Sequence, residues 1–189
     1  MSKVEAGQRL DDLAVTTVNR GSCHLSSLLS REGKTAIVFL RYYGCPLCQY
    51  DMIKYRDAYD AITGGGNELV VALQSTGESI ASQTDIKFPF DIICDPEMLI
   101  YKALDIKPSE PMKDGEMPAP TPEMLRLFRE IEDMGIKHGP NEGIEEQLPA
   151  WFILDSDLNV LKAHYCSSRN ISFLPAAFRG REIFICFRR

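Results

Sequence analysis

The chain has 189 residues, 44% of them hydrophobic and 25% charged, an ordinary balance for a globular protein. Its net charge of -6 argues against nucleic acid, whose phosphates need a basic face, and more weakly against an anionic membrane surface. No run reaches the roughly 20 apolar residues of a spanning helix, and Met1-Ser2-Lys3-Val4-Glu5 lacks the apolar stretch of a signal peptide. A cytoplasmic protein with neither nucleic acid nor membrane as partner is expected. The length suits a single domain over 1–175, carrying an insertion over 106–148 and followed by a tail over 176–189.

Leu13 to Val18 alternates as a strand does, Asn19-Arg20-Gly21-Ser22 has turn chemistry, and Cys23-His24-Leu25 returns as a second short strand. Ser26 to Leu29 reads as one helical turn. Thr35 to Leu40 is a continuous apolar and β-branched run, the pattern of a strand buried on both faces. Arg41 to Gly44 connects it to a helix expected from Cys45 to about Ile62, with Cys48, Met52, Tyr55, Tyr59 and Ile62 on one stripe. Gly64-Gly65-Gly66 stops that helix. Glu68 to Leu73 is a second buried strand, and Ser75-Thr76-Gly77-Glu78 opens a short helix to Thr84. Phe90 to Cys94 is a third strand. Asp95-Pro96-Glu97 then starts a helix through Leu104, proline being suited to a first helical position.

Residues 106–148 change character, with Pro108, Pro111, Pro118, Pro120, Pro122 and Pro140 among them. One helix stands out there: Thr121 caps it, Pro122 fits its first position and Gly135 ends it. Met124, Leu125, Leu127, Phe128, Ile131 and Met134 give it a broad apolar face that must pack on something. A loop this long serves as a lid, a cover or a partner surface. Cover for a sheet edge is the expected role of the helix; the alternative is that the 106–148 segment, with this apolar helix and the acidic Glu142-Gly143-Ile144-Glu145-Glu146, is a surface for a binding partner. Ala150 to Leu154 and Val160 to His164 form a hairpin whose turn begins at Asp155-Ser156-Asp157. Phe173 to Arg189 has no clean period and receives no element. Strands alternating with helices give an α/β fold: a mixed sheet flanked by helices on both faces, with an N-terminal β-hairpin and a helical insertion.

Six cysteines are present, and only Cys45 and Cys48 are close in sequence. In a reducing compartment such a pair is a redox or metal motif rather than a staple. Structural zinc wants two such pairs; here the remaining candidates, Cys94, Cys166, His24, His138 and His164, are scattered, so no metal or cofactor is expected. Cys45 stands where a buried strand ends, Gly44 turns the chain and a helix begins at Pro46. Unpaired N–H groups at a helix N-terminus favour a thiolate, and a spacing of three brings the second sulfur within reach. The spacing predicts Cys45 as the accessible, attacking thiol and Cys48 as the shielded, resolving one, with Arg41 adding positive potential. Cys23, Cys94, Cys166 and Cys186 read as structural, Cys166 being the best placed of them as a distant resolving thiol.

The stretch Phe39-Leu40-Arg41-Tyr42-Tyr43-Gly44-Cys45-Pro46-Leu47-Cys48 resembles the strand–turn–helix motif of the peroxiredoxin-like branch of the AhpC/TSA family, within the thioredoxin superfamily. Gly7-Gln8-Arg9-Leu10 with Leu13 to Val18, Leu69 to Ser75, and Leu148-Pro149-Ala150-Trp151-Phe152-Ile153-Leu154-Asp155 fit the same pattern. The resemblance spans roughly 7–105 and 147–170. It implies a thioredoxin-like fold and a thiol-dependent oxidoreductase acting on a peroxide or a disulfide. Its implied partners are an external thiol reductant such as thioredoxin and a second copy of the chain in a homodimer. It also implies that Pro149 is a cis proline facing the cysteine motif, its neighbouring backbone ready to pair with bound peptide. Aligned with Cys48 in the peroxidatic place, Arg41 stands where the family has proline and Cys45 where it has threonine or serine. Aligned as in thioredoxin, Cys45 is the nucleophile. A redox-inactive binding protein built on the same fold, using 106–148 as its surface, is the competing reading.

Overall fold

A computed structural model of the protein describes residues 3–110 and 119–167, together with the backbone of Ile171–Phe173 and Phe184–Cys186. The expectations for the tail, and for Cys186 as a side chain, otherwise lie outside the described residues.

The strands are β1 (Ala14–Thr17), β2 (Gly21–His24), β3 (Thr35–Phe39), β4 (Glu68–Leu73), β5 (Asp91–Cys94), β6 (Ala150–Leu154), β7 (Val160–Tyr165), β8 (Ile171–Phe173) and β9 (Phe184–Cys186). The first seven form one sheet in the order β2-β1-β5-β4-β3-β6-β7. β3, β4 and β5 run parallel at its centre. The two hairpins add antiparallel strands at its edges, β1 against β5 and β6 against β3. β3 is buried at every position, as a strand covered on both faces must be.

Two cores account for the two faces. On one, Phe39, Phe152, Tyr101, Leu104 and Leu28 pack together. On the other, Val38, Leu40, Met52, Tyr55, Ile62 and Trp151 do so. Removing one such side chain from water contributes about 1.5–3 kcal/mol, so both faces are strongly specified. Helices α1 (Pro46–Asp57), α2 (Tyr59–Thr63) and α3 (Gly77–Gln83) serve the second core, and α4 (Leu99–Ala103) serves the first. Helices on both faces of a mixed sheet, with an N-terminal hairpin, are what the sequence pattern called for.

Three details differ from the pattern. The single helix expected to Ile62 is broken at Ala58, whose φ of -104 and ψ of 6 leave the helical path. The helix expected at Pro96 starts only at Leu99, because Met98 takes a left-handed conformation with φ 59. Asp95 then caps α4 from a distance: its carboxylate accepts from the Leu99 and Ile100 amides, each at 2.8 Å. The insertion helix α5 (Pro122–Asp133) has the expected cap, Thr121 accepting from Met124 N, and Pro122 in its first turn. It does not cover a sheet edge, however. It lies against α1, where Glu130 accepts from the Tyr50 hydroxyl at 2.5 Å and approaches Lys54 at 3.8 Å.

Candidate active site

The turn between β3 and α1 is held from three sides. The Arg41 carbonyl accepts from Gln74 N at 2.8 Å, continuing the β3–β4 ladder. The Tyr43 amide donates to Ser75 Oγ at 2.8 Å. The Tyr101 hydroxyl lies 2.7 Å from the Leu40 carbonyl, from the opposite face. Cys45 is the N-cap of α1 and Pro46 its first residue, so the Cys45 sulfur sits where backbone N–H groups lack helical partners.

Residues 136–147 of the insertion pass over this turn as a strap. The Gly139 amide donates to the Gly44 carbonyl at 2.8 Å. A Cβ on Gly44 would lie 2.3 Å from the Pro140 carbonyl oxygen. Gly44 has no positive φ; glycine is required by the close approach of a second backbone, rather than by the turn itself. The Gln74 amide group brackets the strap, accepting from Ile144 N at 2.6 Å and donating to its carbonyl at 3.2 Å. Ser75 Oγ, which accepts from Tyr43, donates to Glu142 at 2.5 Å. Two carboxylates of the acidic stretch, Glu142 and Glu145, are therefore turned back onto the β3–α1 region, while Gly143 and Ile144 stay exposed.

Arg41 joins the strap to the cysteine. Its Nη1 donates to the Glu145 carbonyl at 2.9 Å and also meets the Glu145 carboxylate. Its Nη2 lies 2.8 Å from Cys45 Sγ. The Tyr42 hydroxyl donates to the other Glu145 oxygen, and Asn141 and His138 stand within 3.1 and 3.4 Å of it. Sequence reading singled out Arg41 but not Tyr42 or Glu145. The only signal for Glu145 was an acidic run far along the chain, with nothing to say which carboxylate returns to the turn.

The two thiols are driven apart. A hydrogen bond from Cys48, the Arg41 charge and the amides of Leu47 and Cys48 outweigh burial and lower Cys45 to about 6. Burial, with the Cys45 charge beside it, pushes Cys48 well up. Burial also works against the Arg41 cation, but Cys45, Cys48 and Glu145 hold it above its ordinary value. Burial would raise Glu145, yet Tyr42 and Arg41 keep it low. Asp51, one turn after Cys48 on α1, is a buried carboxyl pushed well up by desolvation and by the Cys45 charge.

Two expectations need correction. Cys45 is not accessible: its exposure is 0%, against 5% for Cys48. The strap and α5 close over it, and it faces a cavity of about 480 Å³ instead. Phe128, Ile131 and Ile136 give that cavity an apolar wall, and Lys137 and His138 stand beside them. Nor is Pro149 a cis proline, every peptide bond among the described residues being trans. Its carbonyl accepts from the Cys166 amide at 3.0 Å, which commits this end of β6 to β7 rather than to a bound peptide. Cys166 is buried in the same core as Cys48. His164 stacks on Trp151 with ring centroids 5.2 Å apart. Among the described residues no group of three or more His, Cys, Asp or Glu is placed to hold a metal ion, and no helix is long and apolar enough to cross a membrane.

A paired-thiol turn at the mouth of a mixed sheet, with helices on both faces, defines a thioredoxin-like thiol protein. The AhpC/TSA family model matches residues 6–163, and the chain belongs to that family: it is a thiol-dependent oxidoreductase of the peroxiredoxin kind. Solved structures agree on the fold. Peroxidoxin BcpB from Mycobacterium tuberculosis superposes with a TM-score of 0.60 at 15% identity, covering 86% of each chain. A mutant of Xanthomonas campestris peroxiredoxin Q gives 0.58 at 13%, covering 85% of this chain and 87% of its own. A mutant of Xylella fastidiosa PrxQ gives 0.60 at 9%, covering 87% of each. No curated protein matches the chain.

Proposed function

We propose that this protein reduces a hydroperoxide through Cys45, with Cys48 as the resolving thiol. The observation that carries the reading is the Arg41 guanidinium 2.8 Å from a sulfur at a helix N-cap. The Cys45 thiolate attacks the terminal peroxide oxygen and the O–O bond breaks. Sulfur is oxidised to Cys45–SOH, and the leaving alkoxide takes a proton to become an alcohol. The Cys48 thiol then attacks that sulfur, water leaves and the Cys45–Cys48 disulfide forms. An external dithiol such as thioredoxin restores both thiols and is itself oxidised to a disulfide. In this cycle Gly44 lets the strap approach, Pro46 sets the first helical φ, and Pro149 closes the sheet behind the turn. The reading extends to a cytoplasmic setting, where thiol reductants are available, and to a homodimer.

Aligning Cys48 with the peroxidatic place is the less favoured arrangement, since burial holds that thiol protonated. The test is intact mass and thiol counting of the reduced protein after one equivalent of hydrogen peroxide. Wild type is expected to lose two thiols. Cys48→Ser should trap a sulfenic acid on Cys45, and Cys45→Ser should stay inert. A sulfenic acid formed in Cys45→Ser would reverse the roles. Inertness of wild type to peroxide, with rapid exchange on a model disulfide, would make the substrate a disulfide. The peroxide rate should also rise with pH through about 6 and level off above it, following the Cys45 thiolate.

A further inference from the structure

We propose that Glu145 is a positioning residue that holds the Arg41 guanidinium against the Cys45 sulfur, so that the insertion supplies part of the thiol-activating machinery. This rests on the reading of Cys45 as the attacking thiol.

Arg41 is a buried cation. Its side chain is 7% exposed, and a buried charge persists only where it is paired and hydrogen-bonded. Among the described residues its guanidinium nitrogens meet the Cys45 sulfur and two groups of Glu145, the carbonyl and the carboxylate. The thiolate alone is a poor anchor. Its charge disappears when the sulfur is protonated, oxidised to sulfenic acid or joined to Cys48. A long, flexible side chain left with a neutral sulfur gains rotamer freedom by turning outward to water. Glu145 removes that option, because its charge is present at every stage of the cycle. The carboxylate is fixed in turn: Tyr42 donates to its second oxygen, and Gln74 brackets the neighbouring Ile144 backbone. One Arg41 nitrogen is therefore spent on the strap, and the other is held on the sulfur before substrate arrives. Preorganised charge of this kind costs no reorganisation at the moment of reaction.

A through-space effect of Glu145 alone would have the opposite sign. A carboxylate near a thiolate disfavours the thiolate, so removing it would make Cys45 more acidic. Positioning predicts that removing it makes Cys45 less acidic, because Arg41 leaves.

The experiment is the pH dependence of Cys45 alkylation by iodoacetamide in the full chain, with the modified peptide identified by mass. In Glu145→Ala the midpoint should rise from about 6 to above 7, with a rate at pH 6 about fivefold lower, as the thiolate fraction falls. Glu145→Gln keeps an oxygen for Arg41 and should restore the wild-type midpoint. Glu142→Ala loosens the strap at Ser75 without touching Arg41 and should leave the midpoint in place. An unchanged or lowered midpoint in Glu145→Ala overturns the proposal. So does Glu145→Gln behaving like Glu145→Ala, or Glu142→Ala raising the midpoint as much, which would make strap docking the whole effect. A wild type whose Cys45 shows no midpoint near 6 instead removes the reading of Cys45 on which the proposal rests.

Discussion

The β3–α1 turn and the strap that crosses it are built on different principles. The turn is made by its own neighbours in sequence: a buried strand, four linking residues, and a helix opened by proline. The strap has almost no regular structure and is held by the side chains of Gln74 and Ser75, just past the end of β4, and by Arg41 and Tyr42. The turn carries the sulfur, while the strap closes over it and completes the pairing of Arg41. A site can thus keep its reacting atoms on rigid elements and have their reactivity adjusted by a segment from elsewhere in the chain.

The sharpest way to break this comparison is Arg41→Met, which keeps bulk but removes the cation that ties the strap to the sulfur. It leaves Glu145 without its cation and Cys45 without its nearest positive charge. The peroxide rate at pH 7 should fall by about 10–100-fold, measured by consumption of hydrogen peroxide under single-turnover conditions. A loss of less than about threefold would mean that the helix N-terminus and Cys48 suffice, and that the link is structural.

Gly44→Ala tests the contact itself. The new methyl would meet the Pro140 carbonyl, which is backbone and cannot swing aside. A cost of about 1–3 kcal/mol is expected, read as a lower denaturant midpoint. Protection of the Gly139 amide against hydrogen exchange should fall with it, because that amide is bonded to Gly44. Normal protection there would show that the turn yields and the strap does not.

A smaller effect is expected on the turn side alone. Asp51 is buried and, among the described residues, has no hydrogen-bond or ion-pair partner. Its folded pKa lies above its unfolded one, so the native state binds a proton that the unfolded state has already released. Stability therefore falls as pH rises above about 4. Asp51→Asn should remove that slope and gain on the order of 1 kcal/mol at pH 7, with little gain at pH 4, seen in paired urea titrations. Equal gains at both values would show that the carboxyl does not titrate anomalously.

How legible each region was follows from the same difference. β3 and β4 were readable because burial on both faces leaves a continuous apolar run that little else produces. Thr121, Pro122 and Gly135 marked α5 to the residue, since caps are local chemistry. Pro96 misled because the helix start was decided by Met98 turning left-handed and by Asp95 reaching four residues ahead. The cis form expected of Pro149 misled as well: that bond answers to its tertiary surroundings, and here the neighbouring carbonyl is committed to β7. Exposure of Cys45 was misjudged for a related reason, the cover arriving from about 95 residues downstream.

By itself the sequence determined the α/β order, the two cysteines at a helix start and the arginine one turn before them. These depend on periodicities of two and 3.6 and on caps, all set within a few residues. Only the tertiary structure decided that α5 lies on α1, that Glu145 and Tyr42 join the site, and that Cys45 is closed from solvent. Those depend on contacts between segments a hundred residues apart, and no local pattern encodes which of several carboxylates will meet a buried guanidinium.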